Sequence, residues 1–237
     1  MSEAHDSSSN SQSSLVDTLT GILGSDNIIT DESERAYYSQ DVYNQGPTVL
    51  AVIQPDSKDK LAKAVAACTS AGVALFPRGG GFSYTDGYIP TTSNGVTVDT
   101  RKMNRILEIN TEDMFITVES GCTWAAIEDV LKDKGVRPVF WGPFSGLNAT
   151  VGGSMSQGSV TYGSSKYGPS GVAAEGMEVV LADGSIVTTG SAGQPNHSPF
   201  FRHYGPDLTG LFCNDAGALG IKATITLRLQ PRMPVVM

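Results

Sequence analysis

Three consecutive glycines, Gly79, Gly80 and Gly81, interrupt the chain in the stretch PRGGGFSY, which covers residues 77–84. Glycine weakens both helices and strands, so the element that precedes this run has to end there and give way to a turn. Without Cβ atoms, the main chain of such a turn is open to close approach by another group. The sequence therefore predicts an element that stops before the glycines and an exposed main-chain turn after it.

The glycine run closes a predicted β-α-β unit. The segment TVLAVIQP predicts a short buried strand that ends at Pro55, and VALFP predicts a second strand directly before the glycines. Between them, DSKDKLAKAVAACTSAG has apolar residues at helical spacing, with Asp56 or Ser57 as the capping residue. Because the connection contains a helix, the two strands are expected to be parallel.

The other segments predict strands and short helices without a further β-α-β pattern. A helix over SLVDTLTGIL is expected to end at Gly24, and Asp183-Gly184 is the two-residue turn signal of a hairpin. Together they predict an α+β fold, with a small β-α-β lobe at about 48–108 packed on a larger, mostly antiparallel lobe at about 109–233. The remaining segments are strands at GVTVDT, RILEIN, MFITVESG, GMEVVLADGSIVTTG and GIKATITLRLQP, and helices at TWAAIEDVLKDKG and PDLTGLF.

The first fourteen residues, MSEAHDSSSNSQSS, are polar and rich in serine, with no apolar centre. Their composition predicts a disordered tail at 1–14 rather than a secretory signal peptide. No apolar run approaches the roughly 20 residues that span a bilayer, so no transmembrane segment is expected. From these observations we expect a cytoplasmic protein.

Composition argues against several classes of partner. A net charge of −8 disfavours nucleic acid and an anionic membrane surface as the main partner. The three cysteines, Cys68, Cys122 and Cys213, are far apart and form no C-x-x-C pair. We therefore expect buried reduced thiols and no metal site.

The common catalytic and nucleotide-binding motifs do not occur in the sequence. No G-x-G-x-x-G follows a strand, no Lys-Ser/Thr pair follows the glycine run, and neither G-x-S-x-G nor H-E-x-x-H is found. His197 and His203 lie in a loop with proline and asparagine, where we expect solvated side chains. No residue is identified as catalytic.

Glycine is concentrated in three places: residues 79–81, Gly152 with Gly153, and Gly217 with Gly220. Each cluster alone is compatible with an ordinary tight turn. Consecutive backbone N–H groups in a glycine turn can also form a concave anion site. The second interpretation predicts a bound diphosphate, and a Cβ atom on Gly80 would then stand in the space of the phosphate.

The sequence resembles the FAD-binding domain of the vanillyl-alcohol oxidase and p-cresol methylhydroxylase (PCMH-type) superfamily. Within it, the similarity is to the D-lactate dehydrogenase and glycolate oxidase FAD-subunit branch, and it covers residues 15–233. The matching segments, in order, are YYSQDVY (37–43), PRGGGFSY (77–84), VDTRKMNRILEIN (98–110), VESGCTW (118–124), GPFSG (142–146), ATVGGSMSQG (149–158), KYG (166–168), GMEVVLADGSIVTTG (176–190) and GPDLTGLFCNDAGALGIKATITLRLQP (205–231).

The resemblance implies a set of FAD-binding residues spread over the three glycine clusters. It implies pyrophosphate contacts from the backbone of Gly79, Gly80, Gly81 and Phe82 with Ser83, and contacts along the cofactor from Pro143 and Ser145. It also leads us to expect Pro77 and Arg78 among the cofactor-binding residues. It places Thr150, Gly152, Gly153 and Ser156 at the ribityl and flavin region, Gly158, Tyr167 and Val172 at the flavin end, and Gly217, Gly220 and Ile221 on the adenine side.

The sequence departs from this superfamily in two respects. Phe82 stands where relatives that tether FAD covalently carry a histidine, and residues 150–160 offer no cysteine, so a non-covalent, dissociable FAD is expected. The chain also stops where relatives carry a C-terminal substrate or cap domain, which usually supplies the acid–base residues. A partner chain or cap domain could then pair with the second lobe near Trp141 and Phe144, unless both aromatics fill the core.

The resemblance implies oxidation of a 2-hydroxy acid of the D-lactate or glycolate type, with hydride transfer to FAD. Two alternatives remain open at this point. One is a catalytically incomplete FAD-binding module that interacts with partners. The other is an oxidase of the same fold that acts on phenolic or sugar alcohols.

Overall fold

The computed structural model describes residues 3–233, with side chains from residue 13 onward. Helix α1 (Glu3–Leu23) buries Leu15, Leu19 and Leu23, and the next residue, Gly24, has a φ of +90°. The predicted end of this helix is thus confirmed. The helix begins at Glu3, inside the segment 1–14 for which the sequence predicts a disordered tail, and the disorder of that segment stays a prediction. Serine lowers helix propensity only modestly, and an anchored helix extends at little cost.

The first lobe is built on a four-stranded sheet with the order β1-β2-β4-β3. Its strands are β1 (Ile28–Ile29), β2 (Ala51–Ile53), β3 (Ala74–Arg78) and β4 (Gly95–Asp99). Strands β2 and β3 both run parallel to β4, which lies between them, so the β-α-β prediction is confirmed.

The crossover helix α3 (Lys58–Ser70) is capped by Ser57, whose hydroxyl accepts from the N–H of Lys60 at 3.4 Å. Of the two capping candidates, the structure thus selects Ser57. Leu61, Val65 and Cys68 on this helix are buried against the sheet.

The lobe boundaries differ from those expected at 48 and 108. Strand β1 and helix α2 (Glu32–Tyr38) precede residue 48, and β1 pairs with β2 in the first sheet. Strand β5 (Ile106–Asn110) pairs instead with β6 (Phe115–Glu119) in the second sheet. Local periodicity identifies such strands but carries no information about which sheet they join.

The second lobe contains a six-stranded antiparallel sheet with the order β5-β6-β10-β8-β9 and β7 paired to β10. The long strand β10 (Ile221–Pro231) lies at its centre. The hairpin loop is longer than the predicted two-residue turn, because Leu181 N donates to Ser185 O at 2.9 Å around three residues. The other strands are β7 (Val136–Pro138), β8 (Ala174–Val180) and β9 (Ile186–Thr188).

Four helices accompany this sheet: α4 (Trp124–Leu131), α5 (Val151–Gln157), α6 (Ser164–Tyr167) and α7 (Leu208–Leu211). The segments that form α4 and α7 were predicted to be helical. The sequence did not predict α5, because its glycine pair opposes helix formation. Thr150 caps it by accepting from Gly153 N at 3.2 Å.

The two lobes share apolar core and polar contacts. Ile221 and Ala223 of the second sheet lie in one buried cluster with Leu19 and Leu61 of the first lobe. Lys58 of α3 forms a 2.6 Å ion pair with Glu178 of β8. The lobes are therefore packed directly on one another, and their junction brings the glycine-rich turns together.

Candidate functional site

A cleft of about 560 Å³ lies at the junction of the two lobes. All three glycine clusters contribute to its wall, which comes from the end of β3, the start of α5 and the turn before β10. The predicted site residues that line it are Pro77, Arg78, Gly79, Gly80, Gly81, Phe82, Ser83, Pro143, Ser145, Thr150, Gly152, Gly153, Ser156, Gly158, Gly217, Gly220 and Ile221.

Two predicted site residues, Tyr167 and Val172, do not line the cleft. The ring of Tyr167 lies 5.5 Å from the guanidinium carbon of Arg137, away from the glycine turns. Val172 is 44% exposed and packs beside Gly168. Tyr167 lies in α6 and Val172 follows it, and the chain leaves the cleft wall after Val160.

The glycine turn presents main-chain N–H groups to the cleft. Among residues 3–233, no acceptor is found for the five consecutive N–H groups of residues 79–83. The hydroxyl of Tyr88 lies 2.9 Å from the carbonyl oxygen of Gly81 and 3.0 Å from that of Ser83, so this hydroxyl is the hydrogen-bond donor to two carbonyls of the turn. Unpaired donors at a cleft wall form an anion site, and the turn therefore fits a diphosphate.

The reason for the glycines themselves differs from the prediction. A Cβ atom on Gly80 would collide with the carbonyl oxygen of Asn148, and one on Gly79 would collide with the hydroxyl of Thr150. At Gly81, where φ is +73°, a Cβ atom would meet the guanidinium of Arg78. The prediction that the phosphate excludes a side chain at Gly80 is thus corrected, because the protein's own main chain occupies that space.

A buried cation lies behind the turn. Arg78 is 7% exposed, and its Nη1 donates to the carbonyls of Tyr38 at 3.0 Å and Gln40 at 3.1 Å. Its guanidinium carbon lies 4.8 Å from the ring centroid of Tyr88 and 5.2 Å from that of Tyr38. No carboxylate within the described residues pairs with it. The positive charge is therefore available to an anion on the turn.

Side chains from both lobes meet at one side of the turn. The hydroxyls of Ser83 and Thr85 lie 3.2 and 2.9 Å from Oε1 of Gln157, at the end of α5. A Cβ atom on Gly87 would also collide with this amide. Gln157 thus ties the turn to the second lobe, and no local pattern in the sequence pointed to it.

A second polar group lies deeper in the cleft. Lys222 Nζ donates to Asp215 Oδ1 at 2.7 Å, and both side chains are only 2% exposed. Burial lowers the pKa of Lys222 from its usual value, and the charge of Asp215 opposes this shift. Asp215 Oδ2 and the hydroxyl of Ser120 have no hydrogen-bond partner in the part of the chain that the structure describes.

Several lining residues were not predicted. Most of them are close in sequence to predicted site residues, and others reach the cleft wall only because the two lobes pack together. These residues are Tyr84, Thr85, Tyr88, Thr100, Ser120, Phe144, Ala149, Ser154, Gln157, Ser159, Val160, Ala216 and Lys222.

The rim of the cleft carries exposed aromatic side chains. Phe144 and Tyr162 are each 83% exposed and stack edge to face, with ring centroids 5.1 Å apart. Trp141 is 65% exposed and stacks with the buried guanidinium of Arg137 at 4.7 Å. The alternative that Trp141 and Phe144 fill the core is therefore wrong. Large exposed apolar groups beside a cleft are typical of a surface that another element covers.

The lining residues include no histidine, aspartate or glutamate. His197 and His203 are exposed in the loop after β9, as predicted. Of the side-chain types that act as general acids or bases, the lining residues supply a lysine and two tyrosines, namely Lys222, Tyr84 and Tyr88.

Other types of site find no support in residues 3–233. No group of three or more His, Cys, Asp or Glu side chains is placed to hold a metal ion. No described helix combines the length and the apolar character that a membrane span requires. Cys68 and Cys122 are buried free thiols, as expected, whereas Cys213 is partly exposed.

Comparison with known proteins connects the cleft to one cofactor. Residues 49–190 match a family described as FAD binding domain. The chain is 31% identical over 217 residues to glycolate oxidase subunit GlcD of Bacillus subtilis. The matched segment covers 90% of this chain and 44% of that protein. It is 29% identical over 222 residues to the mitochondrial D-lactate dehydrogenase (cytochrome) of Arabidopsis thaliana. The matched segment covers 91% of this chain and 37% of that protein.

The fold is also that of solved structures. The crystal structure of p-cresol methylhydroxylase with bound substrate superposes with a TM-score of 0.82 at 25% identity. The match covers 95% of this chain and 44% of that one. The chain therefore spans less than half the length of the relatives that it matches.

Proposed function

The chain belongs to the family of FAD binding domains, and from this membership we propose that it binds FAD non-covalently and forms the cofactor part of a 2-hydroxy-acid oxidoreductase. The family match and the fold confirm the resemblance to the PCMH-type superfamily and its α+β architecture. The substrate, the mode of FAD attachment and the covering element are the proposed parts.

One observation carries the FAD proposal: the N–H groups of residues 79–83 have no acceptor within residues 3–233, and the buried guanidinium of Arg78 lies against the turn at Gly81. A diphosphate needs several donors and positive charge, and each hydrogen bond to a charged group contributes about 1.5–3 kcal/mol. The cleft extends from this turn in both directions and has a volume in the range of about 300–1,000 Å³ that is usual for cofactor sites. The residues present therefore fit an elongated dinucleotide.

The side chains of the cleft support a dissociable cofactor. Phe82 occupies the position in the turn where a histidine could form a bond to the flavin, and the lining residues include neither histidine nor cysteine. Cys213 contacts the backbone of Gly171 and Thr209 instead of lining the cleft. Acid precipitation should therefore leave the flavin in the supernatant, and flavin that stays with the protein would contradict this proposal.

Bound FAD supplies the electron acceptor for oxidation of a carbon that bears a hydroxyl group. The chain's own residues would hold the diphosphate at the glycine turn, and the walls of the cleft would shield the bound cofactor from water. Because the lining residues include no carboxylate or imidazole, we place the base that would remove the hydroxyl proton in another domain or a partner chain. The exposed pair Phe144 and Tyr162 is the proposed surface for that element.

The proposed substrate class follows the named relatives. Glycolate oxidase and D-lactate dehydrogenase are 31% and 29% identical to this chain, against 28% for the flavoprotein subunit of 4-cresol dehydrogenase of Pseudomonas putida. The proposed 2-hydroxy acid rests on the names of the first two relatives, because two further D-lactate dehydrogenases, at 27% and 28% identity, are no more similar to the chain than the cresol enzyme. A second candidate, a catalytically incomplete FAD-binding module, is favoured by the absence of histidine, aspartate and glutamate among the lining residues.

Anaerobic mixing separates these candidates. FAD-loaded protein is mixed with D-lactate, glycolate or 4-cresol, and the visible flavin band is followed. Bleaching by D-lactate or glycolate supports the hydroxy-acid oxidoreductase, and bleaching by 4-cresol alone supports the phenol alternative. Because the proposed oxidoreductase takes its base from another element, the mixing is repeated with imidazole added as an external base. FAD that stays oxidised with every donor under both conditions supports the incomplete module.

A further inference from the structure

Tyr88 contacts both the main chain of the glycine turn and the cation beside it. Its hydroxyl lies 2.9 Å from the carbonyl oxygen of Gly81 and 3.0 Å from that of Ser83. The centroid of its ring lies 4.8 Å from the guanidinium carbon of Arg78. The Tyr88 side chain is buried, so one immobilised side chain joins the carbonyls of the turn to the guanidinium.

The hydroxyl of Tyr88 is a hydrogen-bond donor near neutral pH. Burial raises the pKa of Tyr88 above its usual value of about 10, and the charge of Arg78 opposes this shift. The hydroxyl therefore keeps its proton, and a carbonyl oxygen can only accept. Its single hydrogen serves both carbonyls, since the two oxygens lie at almost equal distances from the hydroxyl oxygen.

Binding of these two carbonyls fixes the direction of two N–H groups. In a trans peptide unit the C=O and the following N–H point in opposite directions, and no described peptide bond is cis. The bond to Gly81 O therefore directs the N–H of Phe82 away from the Tyr88 hydroxyl, and the bond to Ser83 O does the same for Tyr84. Neither N–H has an acceptor within residues 3–233, and both residues line the cleft.

The glycine turn does not fix this orientation by its own sequence. Gly81 has a φ of +73°, and glycine adopts several backbone conformations at little cost. Tyr88, in contrast, is held from outside the turn. The N–H of Ile89 donates to the carbonyl of Asp86 at 3.1 Å, and Asn44 Nδ2 donates to Asp86 Oδ1 at 2.8 Å. The segment that carries Tyr88 is thus attached to another part of the first lobe.

We propose that Tyr88 is a positioning residue for the diphosphate, which holds the peptide units after Gly81 and Ser83 so that their N–H groups are available to the anion. The proposal rests on the FAD binding proposed above and adds the residue that arranges the turn. Without the hydroxyl, the two peptide units would adopt several orientations. The apparent affinity would then fall in proportion to the fraction of molecules in the binding arrangement.

Tyr88→Phe is the direct test, because it removes the hydroxyl and keeps the ring beside Arg78. The affinity for FAD and that for inorganic pyrophosphate should both fall about five-fold, the effect of one neutral hydrogen bond. The affinity for riboflavin, which has no diphosphate, should stay unchanged. Equal losses for FAD, pyrophosphate and riboflavin would show that Tyr88 only maintains the shape of the cleft, which would overturn the proposal.

Thr189→Val is the matched control for the loss of a buried hydroxyl. The Thr189 hydroxyl lies 2.8 Å from Oγ1 of Thr209 and accepts from the N–H of Met177 at 3.0 Å, and Thr189 does not line the cleft. This variant should lose melting temperature as Tyr88→Phe does and keep its affinity for all three ligands. A five-fold loss of pyrophosphate affinity in the control would show that general destabilisation explains the result for Tyr88.

Amide hydrogen exchange of the unaltered protein tests the same point without any substitution. Saturating pyrophosphate should slow exchange of the Phe82 and Tyr84 N–H groups at least ten-fold, because each then has an acceptor. Unchanged exchange of both groups, with pyrophosphate bound, would overturn the proposal.

The failure of this inference differs from the failure of the proposed function. If the unaltered protein binds neither FAD nor pyrophosphate, both are wrong. If it binds FAD, and the Tyr88→Phe protein binds FAD and pyrophosphate equally tightly, the proposed function stands and the positioning role of Tyr88 is refuted.

Discussion

The carbonyl oxygen of Asn148 occupies the space that a Cβ atom on Gly80 would need. The tight contact between the glycine turn and the chain before α5 is therefore made by protein main chain, and it joins the two lobes at the centre of the cleft. This relationship changes what a substitution at Gly80 reports, because an added side chain disturbs the lobe junction before any cofactor is present.

Gly80→Ala should lower the free energy of unfolding of the cofactor-free protein by about 1–3 kcal/mol, the usual cost of overpacking. Gly21→Ala is the control, because no atom lies within 4 Å of its Cβ position on the exposed side of α1. That substitution should stabilise the helix by about 0.5–1 kcal/mol. Urea unfolding of both variants measures the difference, and equal stability of the two proteins would contradict the packing explanation.

Arg78→Met should weaken FAD binding at least ten-fold, since it removes the buried positive charge behind the turn. The affinity of the variant for riboflavin, which lacks the diphosphate, should fall much less. The measurement is a fluorescence titration of both flavins with the variant and the unaltered protein. If riboflavin and FAD lost affinity to the same degree, Arg78 would act only through the shape of the turn.

The buried carboxyl group of Asp99 should make the free energy of unfolding depend on pH in the acid range. Burial alone would raise its pKa, but the hydrogen bonds and charge of Arg101 outweigh burial and hold the pKa below its usual value. Because the folded pKa is the lower one, this stabilisation is present above the unfolded pKa of about 3.9 and is lost as pH falls through the folded value.

Asp99→Asn should therefore cost about 3 kcal/mol at neutral pH and less at low pH, where the carboxyl is protonated. Thermal unfolding between neutral and acid pH measures both proteins. Curves that run parallel over the whole range would show that Asp99 contributes no acid dependence.

The buried thiols should be inert in the native protein. Burial raises the pKa of Cys68 to about 12, and burial followed by the charge of Glu119 raises that of Cys122 to about 11. Almost no thiolate is then present near neutral pH, and the thiolate is the reactive form. Mass spectrometry after iodoacetamide treatment should detect labelling of both residues only in unfolded protein. Rapid labelling of Cys68 in native protein would contradict this placement.

The sequence predicts the helices and strands of this fold better than it predicts which strands pair with one another. Apolar spacing identifies the β-α-β unit that ends at Arg78 and the long strand from Ile221, because each buries a continuous apolar face. It misses α5, whose glycine pair opposes helix formation and whose Val151 and Met155 pack into the core of the second lobe. Strand Ile106–Asn110 has a clear local pattern, yet the sheet that it joins depends on contacts far along the chain.

The candidate site was predicted from glycine positions, and its polar side chains were missed for a physical reason. The glycine run indicates the turn because a Cβ atom at Gly79 or Gly80 would collide with the chain before α5, and Gly81 has a φ of +73°. Ser120 and Lys222 are ordinary strand residues by pattern and reach the cleft only through their pairing across β10. Tyr167 and Val172 were included by resemblance alone, and the chain near them turns away from the cleft.

The most direct test of the central claim is a titration of the cofactor-free protein with FAD, with and without inorganic pyrophosphate. We predict one FAD per chain, weaker apparent binding as pyrophosphate is added, and riboflavin binding at least ten-fold weaker than FAD. A saturating ligand at 100 times its dissociation constant should also add about 2.7 kcal/mol to the free energy of unfolding. FAD binding that pyrophosphate does not weaken, with riboflavin bound equally tightly, would contradict a diphosphate on the glycine turn.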